Sequence, residues 1–289
     1  MAFKNIRVII NPASGQDQQI LNTLNRVFQN YDLNWQVDVT QKLGDARRFA
    51  KEAVEAGVDL VAGYGGDGTM MEIANSLFGS DVPMGILPGG TANSIAREMG
   101  IPFKLEEAAE LLCKGNMVRP VDIGKINDLY FLLRAYIGVK ESNLAGREMK
   151  DKVGFWAYLL PILRLIKEPR LSRYFLTVDG KEVEQQALIC ILMNLWGWGI
   201  EQPFEKAVES NDKLLDLILI KKNVPEAVTG LLSAEGKEEI FQHWQGREII
   251  ARSEPAVEYW VDGEKGGQTP FTAVIAPEPF RIVVPEEQS

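Results

Sequence analysis

The chain has 289 residues, of which 46% are apolar, so it is long enough for one large domain or two ordinary ones with sizeable cores. Its net charge of −9 argues against a general nucleic-acid-binding role, which needs basic side chains to neutralise phosphates. Two cysteines and one histidine cannot form a Cys/His zinc site, and Cys113 and Cys190 both lie in apolar runs typical of buried free thiols.

The first half of the chain alternates strand-like and helix-like segments. Short apolar runs rich in β-branched residues predict strands at 6–10, 35–39, 58–62 and 84–87. Apolar residues at helical spacing predict helices at 16–31, 45–56, 69–78, 91–99 and 105–112. This alternation predicts parallel βαβ units with a covered sheet, that is, an α/β domain over residues 1–122.

The second half is dominated by consecutive strands. They are predicted at 130–137, 174–178, 187–193, 214–220, 248–251, 256–261, 271–275 and 280–284, and helices are predicted only near 153–167 and 225–242. Successive strands separated by Gly/Pro turns favour an antiparallel β-sandwich over residues 123–289.

No segment predicts secretion or a membrane span. The first fifteen residues contain only a short apolar run, unlike a signal peptide. The longest apolar stretch, 153–166, has about 14 residues and is interrupted by Pro161 and Arg164, whereas a spanning helix needs about 20. We therefore expect a cytoplasmic protein.

Three loops follow predicted strands and precede predicted helices. They are Asn11-Pro12-Ala13-Ser14-Gly15, Gly65-Gly66-Asp67-Gly68-Thr69 and Pro88-Gly89-Gly90-Thr91-Ala92-Asn93. Glycines let the backbone approach phosphates, and a helix N-terminus offers free N–H groups. Because the carboxyl ends of parallel strands form one crevice, the three loops together favour a nucleotide site over three ordinary turns. Asp67 fits such a site if Mg²⁺ or a hydroxyl group lies nearby.

A second group of polar residues, Asp262-Gly263-Glu264, follows the predicted strand 256–261. Two carboxylates that flank a glycine can converge on one point, and phosphoryl transfer to an alcohol needs a group that accepts or orients the hydroxyl proton. Asp-Gly is also a common hairpin dipeptide, so these residues alone favour a solvated turn over a catalytic pair.

These motifs together resemble the diacylglycerol kinase catalytic-domain family, which includes bacterial lipid kinases and sphingosine kinases. The segments VDIGKIN (121–127), NDKLLDL (211–217) and YWVDGEKGGQTP (259–270) extend the resemblance over nearly the whole chain. It implies an α/β nucleotide domain related to phosphofructokinase and NAD kinase, a following β-sandwich, and an active site between them. The implied activity is ATP-dependent phosphorylation of a hydroxyl group of a diacylglycerol-like lipid.

The resemblance also implies roles for individual residues. Glu264 would be the proton acceptor, Asp262 its partner and Asp67 a further catalytic residue. The ATP site would comprise Asn11, Pro12, Ala13, Ser14, Gly15, Thr40, Gly65, Gly66, Asp67, Gly68, Thr69, Met70, Met71, Gly90, Thr91 and Asn93. Without the resemblance, Thr40 is equally well explained as an ordinary hydroxyl at the end of a strand.

Two magnesium ions are implied, one bound with ATP and one structural. The structural Mg²⁺ would be bound by a carboxylate and two backbone carbonyls, from Asp212, Glu209 and Leu214. Oxygen ligands suit this hard cation, although an ordinary surface turn explains the segment nearly as well. Lys213 stands where the family usually has Gly, and Ser94 where many members have Asp. Asp122 is retained as a water-mediated link to this site.

The lipid is expected at a membrane surface, to which the protein would bind peripherally. Residues 147–173 contain seven basic and three acidic side chains around an aromatic run at 153–160. A basic, aromatic-rich helix in this segment would suit binding to a lipid surface. A helix packed on the sandwich is an equal alternative, because the apolar residues of the segment are not confined to one helix face. Trp196 and Trp198 would line a lipid cleft or cap the sandwich.

Two other functions fit part of the pattern. A NAD kinase would share GGDGTMM, but LPGGTANSIAR and the Asp-Gly-Glu turn belong to the lipid-kinase pattern. A non-catalytic nucleotide- or lipid-sensing protein would tolerate Ser94 and Lys213, but it would not need the paired carboxylates. The sequence does not identify the lipid, and the edge strands of the sandwich would permit a homodimer without requiring one.

Overall fold

The computed structural model describes residues 3–14, 19–114, 117–139, 171–197, 206–221 and 241–286. The chain divides into two compact units, one comprising Met1–Val121 with Glu278–Ser289 and the other Asp122–Pro277. No helix among the described residues is long and apolar enough to cross a membrane.

The first unit is built on a six-stranded sheet. Its elements, numbered through the whole chain, are β1 (Asn5–Ile10), α1 (Ile20–Phe28), β2 (Asn34–Val39), α2 (Asp45–Glu55), β3 (Leu60–Gly65), α3 (Asp67–Leu77), β4 (Met84–Pro88), α4 (Ser94–Glu98), α5 (Leu105–Lys114), β5 (Met117–Val121) and β18 (Phe280–Val284). The strand order is β2-β1-β3-β4-β18-β5, and β5 runs antiparallel to its neighbour. Helices α1 and α5 pack together, as do α2 and α3. The predicted α/β unit with a parallel sheet is thus confirmed.

Burial explains the strand positions. The central strands β3 and β4 are buried along their whole length, which suits their nearly continuous apolar sequences. The edge strand β2 instead contains only exposed and half-buried residues. Trp35 of β2 packs edge-on against Phe28 of α1, with ring centroids 5.2 Å apart.

The last strand, β18, belongs to the first unit rather than to the sandwich, where the sequence prediction placed it. It pairs with β4 in parallel and with β5 in antiparallel orientation. Four of its five residues are buried, as expected for a strand covered on both faces. The edge strand β5 was not predicted, and the helix predicted at 91–99 is shortened to α4.

The second unit is an antiparallel β-sandwich, as predicted. Its strands are β6 (Gly124–Ile126), β7 (Leu129–Phe131), β8 (Arg134–Ile137), β9 (Ser172–Val178), β10 (Lys181–Ala187), β11 (Ile189–Met193), β12 (Leu215–Ile220), β13 (Phe241–Gly246), β14 (Glu248–Glu254), β15 (Glu258–Val261), β16 (Glu264–Gln268) and β17 (Phe271–Ile275). They form two sheets, with orders β10-β9-β14-β17-β6-β7 and β13-β12-β11-β8-β15-β16. Both sheets contribute to one buried apolar cluster, which is the sandwich core.

Several predicted strands of this unit divide or move. The strand predicted at 130–137 is β7 and β8, which lie in different sheets, and the one at 187–193 divides at Leu188 between β10 and β11. A continuous apolar sequence does not show where one strand ends and the next begins, because the residues of both strands are buried in the same core. Residues 241–242, predicted as a helix end, begin strand β13, while the remainder of that helix and the one near 153–167 lie outside the described residues.

Candidate functional site

Three loops of the first unit lie at one edge of its sheet. They follow β1, β3 and β4, which are neighbours running in the same direction, so all three start at the carboxyl edge. Gly66 and Gly90 are in contact across two of these loops, since a Cβ on Gly90 would clash with the Cα of Gly66. A Cβ on Gly65 would lie 2.6 Å from the Oγ1 of Thr69. The loop backbones therefore approach as closely as only glycine permits, an arrangement suited to binding phosphates.

Asp67 joins the second loop to the third. Its Oδ2 accepts a hydrogen bond from the backbone N–H of Ser94 at 3.0 Å, and its Oδ1 accepts one from that of Ile95 at 3.1 Å. These amides open helix α4, so Asp67 caps that helix from a distant segment. Because each carboxylate oxygen has a second lone pair, this role leaves Asp67 able to bind a cation as well.

Asn11 joins the first loop to the second. Its Nδ2 donates to the Oγ1 of Thr69 at 2.9 Å, while its Oδ1 accepts from the N–H of Ala13 at 3.0 Å. The side chain therefore fixes both the fold of its own loop and the distance to helix α3. Of the predicted loop, Asn11 to Ser14 are described and Gly15 lies outside the described residues.

The third loop is closed by Asn93, which is buried and has a positive φ of 47°. The N–H of Gly90 donates to its Oδ1 at 2.9 Å, and its Nδ2 donates to the carbonyl of Gly90 at 2.8 Å. Thr91 is exposed between them. The side chains of Met70 and Met71 are buried in the first unit, so these two residues would contact a nucleotide only through the backbone.

Thr40 lies at the same edge, one strand farther out. It follows β2, is buried, and donates its N–H to the carbonyl of Ile10 at 2.9 Å. Its position next to the end of β1 keeps it a candidate nucleotide contact, although in the described part of the chain no hydrogen bond joins its side chain to the three loops.

In the second unit, Asp262 and Gly263 form the two-residue hairpin between β15 and β16. Both have positive φ values, 45° and 90°, as a type I′ turn requires. The Asp262 carboxylate accepts the backbone N–H groups of Leu132, Leu133 and Arg134 at 2.8, 3.2 and 2.8 Å. It therefore fixes the hairpin to the connection between β7 and β8. The sequence predicted a partner for the base and missed this backbone role, because residues about 130 positions apart give no local signal.

Glu264 follows the turn and is exposed. Its carboxylate makes no hydrogen bond or ion pair with the described residues, whereas the neighbouring Lys265 pairs with Glu258. Glu264 pairs with Val261 in the hairpin, so its backbone is fixed while its side chain is free. Of the three predicted catalytic carboxylates, it is the one that accepts no hydrogen bond from the described residues.

The predicted structural metal site is an acidic turn before β12. The Oδ1 of Asp212 accepts the N–H of Leu214 at 2.9 Å, and Asp122 accepts the N–H of Lys213 at 2.6 Å. Lys213 has a φ of 61°, a left-handed conformation that suits the glycine expected there. The pKa of Asp212 is raised by burial and by three neighbouring carboxylates, those of Asp216, Glu209 and Asp122. The described residues contain no group of three metal-binding side chains. Binding of a structural Mg²⁺ by the Asp212 carboxylate and two backbone carbonyls stays a prediction.

Asp216 on β12 and His243 on β13 form a pair that the sequence did not predict, in which Asp216 is fully buried and His243 half-buried. The Oδ1 of Asp216 lies 2.6 Å from the Nε2 of His243 and 3.0 Å from the Nε2 of Gln245. Its Oδ2 is buried without a hydrogen-bond partner in the described part of the chain. The sequence assigned His243 no role, because its partner is 27 residues away.

Comparisons with known proteins cover both units. Residues 5–126 match the diacylglycerol kinase catalytic domain, and residues 136–284 match the YegS C-terminal NAD kinase beta sandwich-like domain. A diacylglycerol kinase of Bacillus subtilis is 28% identical over 99% of this chain and 98% of its own, and one of Staphylococcus aureus is 26% identical over 92% and 88%. A crystal structure of a diacylglycerol kinase from Bacillus anthracis superposes with a TM-score of 0.77 at 26% identity, over 98% of each chain. The chain therefore belongs to the diacylglycerol kinase catalytic-domain family.

Proposed function

We propose that this protein transfers the γ-phosphoryl group of ATP to a hydroxyl group of a diacylglycerol-like lipid. The observation that carries the proposal is the set of three loops at one sheet edge, held together by Asp67 and Asn11 around the contact between Gly66 and Gly90. Their backbone N–H groups are suited to a polyphosphate, and the diacylglycerol kinases among its relatives share nearly the full length of the chain.

Magnesium is the expected second cofactor. The segments 11–14, 65–71 and 88–93 contain no lysine or arginine, so the loops themselves provide only backbone dipoles against the charge of the phosphates. Mg²⁺, when bound, neutralises phosphate oxygens in such reactions. Asp67 is the acidic residue of these segments, and it would hold the ion with its remaining lone pairs.

In the proposed reaction, Glu264 accepts the proton of the lipid hydroxyl group. The hydroxyl oxygen forms a bond to the γ-phosphorus while the bond to the bridging oxygen of ADP breaks, so the products are the lipid phosphate and ADP. Asp262 holds the turn that carries Glu264 by means of three backbone hydrogen bonds, and it acts by positioning.

The experiment is a phosphoryl-transfer assay of the purified protein with ATP and Mg²⁺. Diacylglycerol, phosphatidylglycerol, monoacylglycerol and sphingosine are presented in mixed micelles, and NAD in solution. Turnover of one lipid supports the proposal and names the substrate. Turnover of NAD alone would make the protein a NAD kinase, and ATP binding without turnover of any acceptor would favour the nucleotide-sensing alternative.

A further inference from the structure

The turn between β2 and α2 exposes an apolar side chain. Leu43 is 87% exposed, the highest value for a large apolar residue in the described part of the chain. The turn follows β2 and therefore lies at the carboxyl edge of the sheet, where the three phosphate-binding loops begin. Single exposed leucines are common on protein surfaces, so only the surroundings of Leu43 can indicate whether it belongs to an interaction surface.

The turn is held rigidly by two carboxylates. The Oδ2 of Asp45 accepts the N–H groups of Gln41 and Lys42 at 2.9 and 3.1 Å. The Oε2 of Glu72, on the neighbouring helix α3, accepts the N–H of Gly44 at 3.0 Å. Leu43 is thus presented to solvent by a fixed backbone, and burying it against a partner would cost little ordering of the chain.

The segment that contains Leu43 is basic although the protein as a whole is acidic. Residues 41–51 contain four basic side chains and one carboxylate, and with the carboxylate of Glu72, which contacts the same turn, the local charge is +2 in a chain of net charge −9. Arg47 lies in the first turn of α2, where the helix dipole disfavours a cation, so it does not serve helix stability. The side chains of Lys42 and Arg47 form no ion pair with the described residues, whereas Arg48 pairs with acids of its own helix.

We propose that Lys42, Leu43 and Arg47 form a docking site for an anionic lipid surface. Leu43 would enter the apolar boundary of the bilayer while the two cations bind lipid phosphates. The choice of partner rests on the proposed function, because a lipid kinase has to take its substrate from a membrane. A single leucine with two cations gives weak, reversible attachment, which lets the enzyme move between lipid molecules.

The test is vesicle flotation of the full-length protein without ATP. Vesicles of phosphatidylcholine with one-quarter phosphatidylglycerol are compared with pure phosphatidylcholine. The protein should bind the anionic vesicles, and less so at high salt. Leu43→Ser should weaken binding about tenfold, and Lys42→Gln and Arg47→Gln about fivefold each. Leu129→Ser and Lys181→Gln, at exposed sites of the second unit, should bind like the wild type.

Three results would overturn the docking site. The first is that the protein does not bind anionic vesicles, and the second is that the three variants bind them like the wild type. The third is that Leu43→Ser raises the Kd for ATP in vesicle-free solution, which would assign the turn to the nucleotide site. Flotation needs no catalysis, so vesicle binding without turnover of any lipid would contradict the proposed function alone.

Discussion

The two units each use one aspartate to hold a polar segment, but the two aspartates differ in the number of amides they hold. In the α/β unit, Asp67 accepts two amides at the start of a short helix. In the sandwich, Asp262 accepts three successive amides, those of Leu132, Leu133 and Arg134. Each amide that loses its partner carries a desolvation cost, and Asp262 holds one more than Asp67. Asp262 should therefore matter more for stability, and Asp67 more for the shape of the three loops of the first unit.

The largest effect on stability is expected from Asp262→Ala. It leaves three amides without a partner and places alanine at a positive φ, which together should lower the free energy of unfolding by about 3–5 kcal/mol. Asp262→Asn should cost less, because asparagine tolerates this backbone conformation and keeps one acceptor. Urea denaturation measures both. Asp128→Ala, at an exposed site in the same unit, is the control, and an equal loss in that variant would rule out the assigned role.

Gly90→Ala tests the contact between the loops. The added methyl group would clash with Gly66, so we expect a loss of stability of about 1–3 kcal/mol and weaker ATP binding. Gly68→Ala is the matched control for stability, since its Cβ would meet nothing within 4 Å. Calorimetry of the two proteins with and without ATP gives both quantities. Equal stabilities would mean that the loops do not approach as closely as described.

A smaller effect is expected from Asp67→Asn. The amide group can accept only one of the two backbone hydrogen bonds, and loss of a helix cap costs about 1 kcal/mol. Because the cap also fixes the third loop, the affinity for Mg·ATP should fall more than stability does. If titration calorimetry showed unchanged affinity, the link between the two loops would have no part in binding the nucleotide.

The smallest effect is expected from Asp212→Asn. Burial and neighbouring carboxylates raise the pKa of Asp212, so its ionised form destabilises the folded state. The variant should therefore have a slightly higher Tm at pH 7 without divalent cations, and the difference should disappear at acidic pH, where both proteins are uncharged at this position. Adding Mg²⁺ should raise the Tm of the wild type only. A Tm of the variant that also rises with Mg²⁺ would place the cation elsewhere.

Sequence patterns predicted the features that depend on local periodicity and glycine content. The parallel order of the strands could be predicted because strand-like and helix-like segments alternate along the chain. The three loops could be predicted because glycines such as Gly66 mark a close turn within their own sequence segment. The return of β18 to the first sheet could not be predicted, because an apolar strand carries no signal for which sheet it joins. The backbone roles of Asp67 and Asp262, and the pair of Asp216 with His243, depend on residues 27 to 130 positions apart that meet only in the folded chain.

The role of Glu264 is tested by comparing Glu264→Gln with Glu248→Gln, a substitution at an exposed glutamate of the same unit. Turnover of the lipid and the Kd for ATP are measured on the same preparations. We expect Glu264→Gln to lower turnover by roughly 10²–10⁴-fold, the usual contribution of a general base, with unchanged ATP affinity, and Glu248→Gln to behave like the wild type in both measurements. Full turnover by Glu264→Gln would contradict the assignment of the free carboxylate as the proton acceptor.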